Sequence, residues 1–533
     1  MSRLGETMRS QAALRERLEK LNAIGIALSG ETDTARLTEA ILLAAKELVG
    51  ADAGTLYRVD GDALRFEIAL TDTLGLRMGG TLGATVALPP VPLHDADGVP
   101  NLGHVVACAV NQRRTVCIDD AYAATDYDFS GTRSFDAANG YRSRSVLCVP
   151  MRDHEGQVLG ALQLINALDG HGGVRAFDGD DQRLVESLAS QAAIALTNRR
   201  LIGAMEALFE SFIGLINLAI DDKSPYTGGH CQRVPVLTMM LADAASRTDT
   251  GPLAAFDLSD EARYALKIAG LLHDCGKVTT PVHVVDKATK LQTLFDRIAL
   301  IQTRFEVLRR DARIDRLEGR LDEEAYHACL AALDDDLAFL RRINVGGEAM
   351  GDAELARLQA IAARRWHGPT GETPLLDADE LENLAVRRGT LTHAERRIIN
   401  RHIEVTIQML EALPWPRHLA QVPEYAGGHH ERMDGRGYPR GLTREQLSIP
   451  ARIMGIADVF EALTARDRPY KEGMKLSQAL TILARMARDQ HIDAELFEVF
   501  VREQVWLDYA RQYLPQSQID PVDTAALLAL ARR

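Results

Sequence analysis

The sequence is poor in cysteine and aromatic residues, has no long uncharged apolar run and carries no excess of basic side chains. Its six cysteines (108, 117, 148, 231, 275 and 329) include no CxxC pair. This excludes a disulfide scaffold and favours a reducing compartment. No run approaches the ~18 to 20 apolar residues that cross a bilayer, and the charged first twenty residues lack the apolar core of a secretory leader. We therefore expect a cytoplasmic chain without a membrane span.

The charge balance limits the partners of the chain. There are 61 basic and 75 acidic residues, a net charge of −14. A surface of this sign disfavours binding to a nucleic-acid polymer or to anionic lipid. A small anionic ligand can still bind where cations cluster locally.

Length and residue pattern predict several domains. At ~150 residues per domain, 533 residues correspond to three or four structural units. Residues 1–29 are expected to form an N-terminal amphipathic helix, in which Leu21, Ile24 and Ile26 share one face. Residues 30–198 contain short apolar or alternating runs broken by Gly, Asp and Pro. This pattern predicts an α+β domain built around a sheet.

Helical patterns dominate the rest of the chain. Residues 181–222 keep helical periodicity without proline, which predicts a long connecting helix. Residues 203–533 are typical of an all-α domain, with an unusually charged helical segment inserted at about 289–390. Charge alternation there favours a solvent-exposed helical hairpin. Two interpretations of the insertion stay open: an excursion without chemistry, or a lid or docking surface for a partner.

Histidine is concentrated in the second half, where eleven of the fifteen lie at position 230 or beyond. In KIAGLLHDCGKV, Lys277 follows His273 by four residues and Asp274 by three, which predicts that the three side chains share one surface of a helix. Imidazole and carboxylate suit a divalent metal, and an ammonium group neutralises phosphate. A helix with an ordinary polar patch has the same pattern, so this motif alone is a weak signal.

A second segment, GGHHERMDGRGYPRGL at 427–442, is more specific. Adjacent histidines, an acid and a tight loop fixed by glycine and proline are not explained by packing. Together with LLHDCGKV, IPARIMGIADVFEALTARDRPYK and HIDAELFEVF, the segment resembles the HD-GYP family of HD phosphohydrolases over about 203–288 and 390–533. The resemblance implies an all-helical, metal-dependent phosphodiesterase. Its substrate would be the bacterial second messenger cyclic di-GMP, cleaved to linear pGpG and, by a second cut, to GMP.

The resemblance also implies the residues of the site. The metal ligands of the family correspond here to six residues: His273, Asp274, His402, His429, His430 and Asp458. It implies that Asp274 bridges two ions, usually iron or manganese, and that Lys277 contacts the scissile phosphate, so these two are the catalytic candidates. Glu431 follows the histidine pair and is left out, because orienting an imidazole or forming a salt bridge explains it equally well.

The resemblance points to four further positions as substrate contacts: His230, Tyr438, Arg468 and Lys471. Family members with a third metal have a glutamate four residues before the histidine that matches His230, but this chain has Tyr226 there. That departure favours two divalent ions and gives His230 a role as a phosphate contact or as a neighbour of the ligands. Tyr438, in the GYP loop, is the expected platform for a guanine.

Residues 30–198 resemble a GAF domain through LTEAILLAAKELVGADAGTLYRVDGD, GYRSRSVLCVPMRDHEGQVLGALQLIN and FDGDDQRLVESLASQAAIAL. The cyclic-nucleotide motif of that family is only partly present, around Asn166, Phe177 and Asp181. The resemblance implies an antiparallel sheet flanked by helices, and a sensor domain with an unidentified small-molecule ligand. The same apolar residues would equally build a plain core.

Helices 9–27 and 181–222 flank this domain and could pair between two copies of the chain, so we expect a homodimer, although clean heptads are not evident. The leading hypothesis is a cyclic di-GMP phosphodiesterase regulated through its GAF domain. Two alternatives stay open. One is a catalytically weak cyclic-dinucleotide receptor or scaffold that recruits protein partners through the GYP loop or the insertion. The other is a hydrolase of another cyclic dinucleotide.

Overall fold

The computed structural model describes residues 15, 17, 19–81, 83–84, 86–223, 229–249, 251–347, 349–368, 371–466 and 473–532. The chain divides into two compact units, Met1–Phe209 and Glu210–Arg533. Three residues singled out from the sequence, Tyr226, Arg468 and Lys471, lie outside the described residues, as does the start of the predicted N-terminal helix.

The first unit is built on one antiparallel sheet. The strand order is β3-β2-β1-β7-β6-β5, with β4 paired to β2 and β8 paired to β7. The strands are β1 (Ala51–Asp60), β2 (Ala63–Thr71), β3 (Leu76–Gly79), β4 (Val91–Pro92), β5 (Val116–Ile118), β6 (Val146–Arg152), β7 (Val158–Leu168) and β8 (Val174–Arg175). The helices are α1 (19–30), α2 (Thr34–Val49), α3 (Val105–Gln112), α4 (Ser130–Asn139) and the first part of α5 (Gly179–Lys223).

Each face of this sheet has its own apolar core, as the period of two in a strand requires. In β6, Leu147 and Val149 pack into the core that α1, α2 and α5 cover. The alternate residues Val146 and Cys148 pack into the core that α3 covers. The α+β architecture predicted from the sequence is confirmed.

The N-terminal helix differs from its prediction in one residue. Leu21 and Leu28 are buried and Ile24 packs against the same core, whereas Ile26 is 74% exposed. A spacing of three and then four residues places 21, 24 and 28 on one side of a helix, and residue 26 points away from it. The predicted face was therefore wrong at Ile26.

The residues of the partial cyclic-nucleotide motif have partners within the first unit. The Asn166 carboxamide accepts a hydrogen bond from the Arg144 N–H and donates to the Tyr141 hydroxyl and the Arg142 carbonyl. Asp181 is buried and forms an ion pair with Arg175. Asn166 thus connects β7 to the segment at 141–144, and Asp181 connects α5 to β8.

The long connecting helix predicted over 181–222 is confirmed as α5, Gly179–Lys223. Judged by length and composition alone, α5 could cross a membrane, because its most apolar 18-residue window has a mean hydropathy of 1.5. Of the residues in this window, 11% are buried. A helix whose apolar face packs on another helix passes the same test, so this is weak evidence for a span. The absence of a membrane span stays a prediction.

The second unit is mainly helical. Its described residues contain the end of α5 and fourteen further α-helices: α6 (His230–Ser246), α7 (Asp260–Leu272), α8 (Val282–Val285), α9 (Ile298–Leu317), α10 (Glu323–Asn344), α11 (Asp352–Ala363), α12 (Ala378–Leu384), α13 (His393–Glu411), α14 (Val422–Gly427), α15 (Ile449–Thr464), α16 (Leu476–Arg488), α17 (Ala494–Arg502), α18 (Val505–Tyr513) and α19 (Thr524–Ala531). The all-α prediction is wrong in one place, because β9 (Arg365–Gly368) and β10 (Gly371–Pro374) pair as a small antiparallel sheet.

The inserted segment is more than the solvent-exposed helical hairpin predicted. It comprises α9 to α12 and the β9–β10 pair, and its apolar residues form a separate core that includes Phe305, Leu340 and Leu358. These apolar positions are scattered among charged ones, so the stripe that each helix buries was hidden in the overall charge of the segment. At its base, the buried Lys287 ammonium donates to Asn383 of α12 and to Glu395 of α13.

Candidate metal centre

The His-Asp dipeptide lies in a turn between two helices. α7 ends at Leu272, His273 caps it, and Asp274 precedes a 3-10 helix at Cys275–Thr279. The prediction of one continuous helical surface through Lys277 is therefore wrong in detail. The Lys277 ammonium nevertheless lies 2.6 Å from the Asp274 carboxylate.

Gly276 lets this turn contact the helix that carries His402. A Cβ atom at Gly276 would lie 2.0 Å from the His402 carbonyl oxygen and 2.6 Å from the Thr406 nitrogen. The Gly276 N–H donates to the Thr406 hydroxyl at 2.9 Å. The two backbones approach this closely because glycine has no side chain.

The glycine pair before the two histidines has a similar role. α14 ends at Gly427, and a Cβ there would lie 2.8 Å from the Ile407 side chain of α13. A Cβ at Gly428 would lie 2.9 Å from the Ala451 Cβ of α15. His429 and His430 therefore leave the end of α14 between the helices that carry His402 and Asp458.

Asp458 and His230 meet across α15 and α6. The His230 Nε2 atom is 3.3 Å from Asp458 Oδ1 and 3.3 Å from Asp274 Oδ2. The other ring nitrogen, Nδ1, is hydrogen-bonded to the buried carboxylate of Glu461, which also accepts from Arg233 at 2.6 Å. Glu461 was missed from the sequence. Its signal is the spacing of three from Asp458, which places both carboxylates on one side of α15.

Three imidazoles share one orientation. The Nδ1 atoms of His273 and His429 lie 2.7 and 2.6 Å from the carbonyl oxygens of Gly270 and Ala426, and His402 makes the same contact with Ile399. Since a carbonyl only accepts, each Nδ1 carries the proton and each Nε2 offers a lone pair. Among the described residues, these three buried Nε2 atoms have no hydrogen-bond partner.

Asp274 lies at the centre of the cluster. Its Oδ1 is 3.2 Å from the Nε2 of His402, and its Oδ2 is 3.2 Å from the Nε2 of His273. Lone pairs on nitrogen and negative oxygens at this distance repel each other unless a positive charge lies between them. The donor set of neutral imidazoles and carboxylates fits a divalent metal ion.

The electrostatics of the cluster agree with a cation site. Burial, with its histidine neighbours, lowers the pKa of His429 well below its usual value, and burial lowers the pKa of His430 to about 4, so both rings are neutral at pH 7. Burial also opposes protonation of His230, yet hydrogen bonds to Asp274, Asp458 and Glu461 raise the pKa of His230 well above its usual value. The side of the cluster around His230 thus has a surplus of negative charge.

Three overlapping groups of side chains place their ligand atoms within 4.8 Å of one another: His402, His429 and His430; His273, Asp274 and His429; and His230, His273 and Asp458. The structure thus brings together all six residues expected to be metal ligands. His230, expected to contact phosphate or to neighbour the ligands, lies among them.

The GYP loop folds over this cluster. Glu431 is buried, and its two carboxylate oxygens accept the backbone N–H groups of Arg440 and Leu442 at 2.7 and 2.9 Å. Glu431 therefore holds the loop. A Cβ at Gly437 would lie 2.4 Å from the Arg432 nitrogen, so the loop also needs a glycine there. The Tyr438 ring stacks on His430, with centroids 4.9 Å apart.

Comparison with protein families gives two matches. A GAF domain model matches residues 31–197, and an HD domain model matches residues 378–496. The HD match contains His402, His429, His430 and Asp458 but begins after the His273–Asp274 turn. The insertion lies between that turn and most of the matched segment.

Several curated proteins are similar to this chain. One is the 3′3′-cGAMP-specific phosphodiesterase 1 of Vibrio cholerae, 39% identical over 23% of this chain and 27% of its own length. A cyclic di-GMP phosphodiesterase of Pseudomonas aeruginosa is 39% identical over 21% of this chain and 26% of its own length. The 3′3′-cGAMP-specific phosphodiesterase 3 of Vibrio cholerae is 25% identical over 55% of this chain and 38% of its own length.

The chain thus spans about a quarter to two fifths of the length of these relatives. Fold, motif residues and relatives agree on the two domains. The chain contains an N-terminal GAF domain and an HD domain related to those of the HD-GYP cyclic di-GMP and cGAMP phosphodiesterases.

Proposed function

We propose that the chain is a metal-dependent cyclic-dinucleotide phosphodiesterase of HD-GYP type. The observation that supports this best is the set of buried Nε2 atoms of His273, His402 and His429, which have no hydrogen-bond partner among the described residues. They lie in one cluster with the carboxylate of Asp274. Buried polar atoms are rarely left unpaired, and ligation of metal ions would satisfy all three.

Two ions fit the three candidate groups. The rings of His273 and His429 each use Nδ1 on a carbonyl, so each has one nitrogen left and binds one ion. His273 and His429 each belong to two of the three groups. Because each ring binds one ion, two ions fit only into two groups that have no residue in common. Those groups are His402, His429 and His430, and His230, His273 and Asp458. Asp274 has one oxygen facing each of these, and we propose that it bridges them.

This arrangement makes His230 a metal ligand in our proposal, in place of a substrate contact. Its Nε2 lies 3.3 Å from two carboxylates, while Glu461 holds Nδ1. A carboxylate behind a ligating imidazole fixes the ring orientation and strengthens the ligand. The mixed nitrogen and oxygen donors suit iron or manganese.

When bound, a pair of divalent ions activates water and neutralises charge on phosphoryl oxygens. The side chains around it then position the substrate. The Lys277 ammonium is partly exposed beside Asp274, where we propose that it contacts an oxygen of the scissile phosphate. Tyr438 stacks one face of its ring on His430, and we propose that its remaining surface supports a base.

The proposed substrate is cyclic di-GMP, with linear pGpG and then GMP as products. The relatives also include enzymes named as specific for 3′3′-cGAMP. This supports a second candidate substrate that shares the phosphodiester ring and differs in a base. Selectivity between the two depends on the residues that contact the bases. Arg468 and Lys471, outside the described residues, stay proposed substrate contacts.

We propose that the GAF domain regulates the enzyme by binding a small molecule, and that the protein acts in the cytoplasm. The six cysteines are free, as expected in a reducing compartment. A protein partner at the GYP loop or the insertion stays a proposal.

We also propose that two copies pair through α5. The large apolar side chains of this helix that are 50% to 70% exposed include Ile194, Leu201, Met205, Leu208, Phe212 and Leu215. From Leu201 onward their spacing alternates between four and three, which is the seam of a coiled coil. Leucine occupies every second seam position, and Asn198 at a further seam position favours a fixed register.

The heptads were not evident from the sequence because apolar residues occupy other sides of α5 as well. The structure separates the two sets by burial. Ile213 and Ile220 are buried within the second unit, whereas the seam residues are exposed. The exposed apolar stripe of α5 also includes Ile202, Ile216 and Leu218 beside the seam.

The function is tested by chromatography of the reaction products. Anaerobically purified protein loaded with iron or manganese is incubated separately with cyclic di-GMP and with 3′3′-cGAMP. A His273→Ala/Asp274→Ala double variant is run alongside. We expect linear dinucleotide or GMP only with the wild type. Equal turnover by the double variant would contradict the site, and binding of both dinucleotides without turnover would favour the receptor hypothesis.

A further inference from the structure

The first unit contains a cavity of about 660 Å³ on the sheet face covered by α2 and α5. Its lining comes from α2 at Thr34 and Thr38, from the four strands β1, β2, β6 and β7, and from α5 at Leu196 and Gly203. This volume lies within the ~300 to 1,000 Å³ of small-molecule sites.

Two β-bulges border the cavity. The pairing of β1 with β2 skips Glu67, because Leu56 pairs with Ile68 and Tyr57 with Phe66. The pairing of β6 with β7 skips Leu159 in the same way. A bulge turns its extra side chain out of the regular alternation, and both extra side chains line the cavity. The sheet is thus irregular on both sides of this space.

The lining combines an apolar floor with a basic rim. Leu56 and Met151 are buried, and Leu159 and Leu196 extend the apolar surface. The rim carries three arginines and one carboxylate: Arg58, Arg199, Arg200 and Glu67.

The charges on this rim do not balance. The Arg58 guanidinium is 2.5 Å from Glu67, which neutralises that pair. No ion pair joins Arg199 or Arg200 to a carboxylate among the described residues. Both follow Leu196 on the same side of α5, at a spacing of three and four. The cavity therefore has two positive charges to offer a ligand.

We propose that this cavity binds an amphipathic organic anion. Its carboxylate or phosphate head would bind the guanidinium groups of Arg199 and Arg200, and its apolar body would lie against Leu56, Met151 and Leu159. Guanidinium groups bind either head through paired hydrogen bonds. The proposal gives a ligand class to the sensory role proposed for the GAF domain, and its biological purpose rests on that role. Binding itself is measured without turnover.

The proposal is tested by calorimetric titration of the full chain with dodecanoate, with dodecyl phosphate and with the uncharged control dodecanol. We expect saturable binding of at least one anion at one per chain. An Arg199→Ala/Arg200→Ala variant should bind at least tenfold more weakly. The matched control Arg310→Ala/Arg313→Ala removes two exposed charges from α9 and should bind like the wild type.

A second variant separates the cavity from the exposed apolar stripe of α5. Leu159→Trp fills the cavity and leaves the stripe unchanged, so it should abolish binding while the melting temperature stays near that of the wild type. The comparison of the two anions identifies the head group. The absence of saturable binding by either anion would overturn the proposal, as would equal affinity in the two double-arginine variants or equal binding of dodecanol. None of these outcomes depends on phosphodiesterase activity.

Discussion

Replacing Gly276 with alanine tests whether the close approach of two backbones sets the metal site. The added Cβ would lie 2.0 Å from the His402 carbonyl oxygen. Ordinary contact begins at about 3.4 Å, so the His273–Asp274 turn and α13 must separate by about 1.4 Å. The hydrogen bond from the Gly276 N–H to Thr406 would be stretched or lost.

The size of the expected effect follows from these distances. Overpacking of this kind costs about 1 to 3 kcal/mol of unfolding free energy, and loss of the hydrogen bond adds about 1 kcal/mol. Metal–ligand distances tolerate about 0.2 Å, far less than the required shift between Asp274 and His402. A displacement of about 1 Å in a catalytic site costs on the order of 100-fold in rate.

The assay compares metal content, by plasma mass spectrometry, with turnover of cyclic dinucleotide. We expect Gly276→Ala to lose most of its bound metal and to turn over at least 100-fold more slowly than the wild type. Gly214→Ala is the matched control, because a Cβ at Gly214 meets no atom within 4 Å and alanine favours the helix. Wild-type metal content and turnover in Gly276→Ala would refute the reasoning.

Three further predictions concern other parts of the chain. Glu461→Gln weakens the hydrogen bond to His230, so a manganese titration should show about 10- to 100-fold lower affinity. The control Glu498→Gln, which removes a half-buried carboxylate that pairs with Arg502 and Arg532, should leave the affinity unchanged. Leu208→Glu places a charge in the seam of α5 and should convert a dimer to a monomer in sedimentation. Burial raises the pKa of Glu395, but hydrogen bonds from Lys287 and Thr392 lower that pKa more. The ionised Glu395 carboxylate therefore stabilises the fold above about pH 4.5, and this stabilisation is lost as the pH falls through the lowered pKa. In Glu395→Gln the free energy of unfolding should therefore decrease less steeply with falling pH in this range.

The sequence identified the candidate ligands better than the contacts that hold them. The His-Asp and His-His pairs are local motifs, so their residues could be named from the sequence alone. The partner of His230 could not, because Glu461 lies on another helix and 231 positions away in the chain. The need for glycine at 276 and 437 likewise arises from distant backbone, which no local pattern shows.

The fold shows the same division. Helix α5 was predicted within two residues of each end, because its periodicity is uninterrupted. Charge dominates the composition of the insertion and predicts an exposed hairpin, yet Phe305 and Leu340 meet in its own core. The heptad seam of α5 emerged only when burial separated Leu208 from Ile213. Pattern alone does not show which apolar face is already covered.

In our proposal, the His and Asp cluster is a metal centre that hydrolyses cyclic dinucleotides. The most direct test strips the protein of metal, confirms its absence by plasma mass spectrometry, and measures turnover during stepwise addition of manganese. We predict no turnover in the metal-free protein, followed by a rise to a plateau at two ions per chain. Full turnover in the metal-free protein would contradict the account.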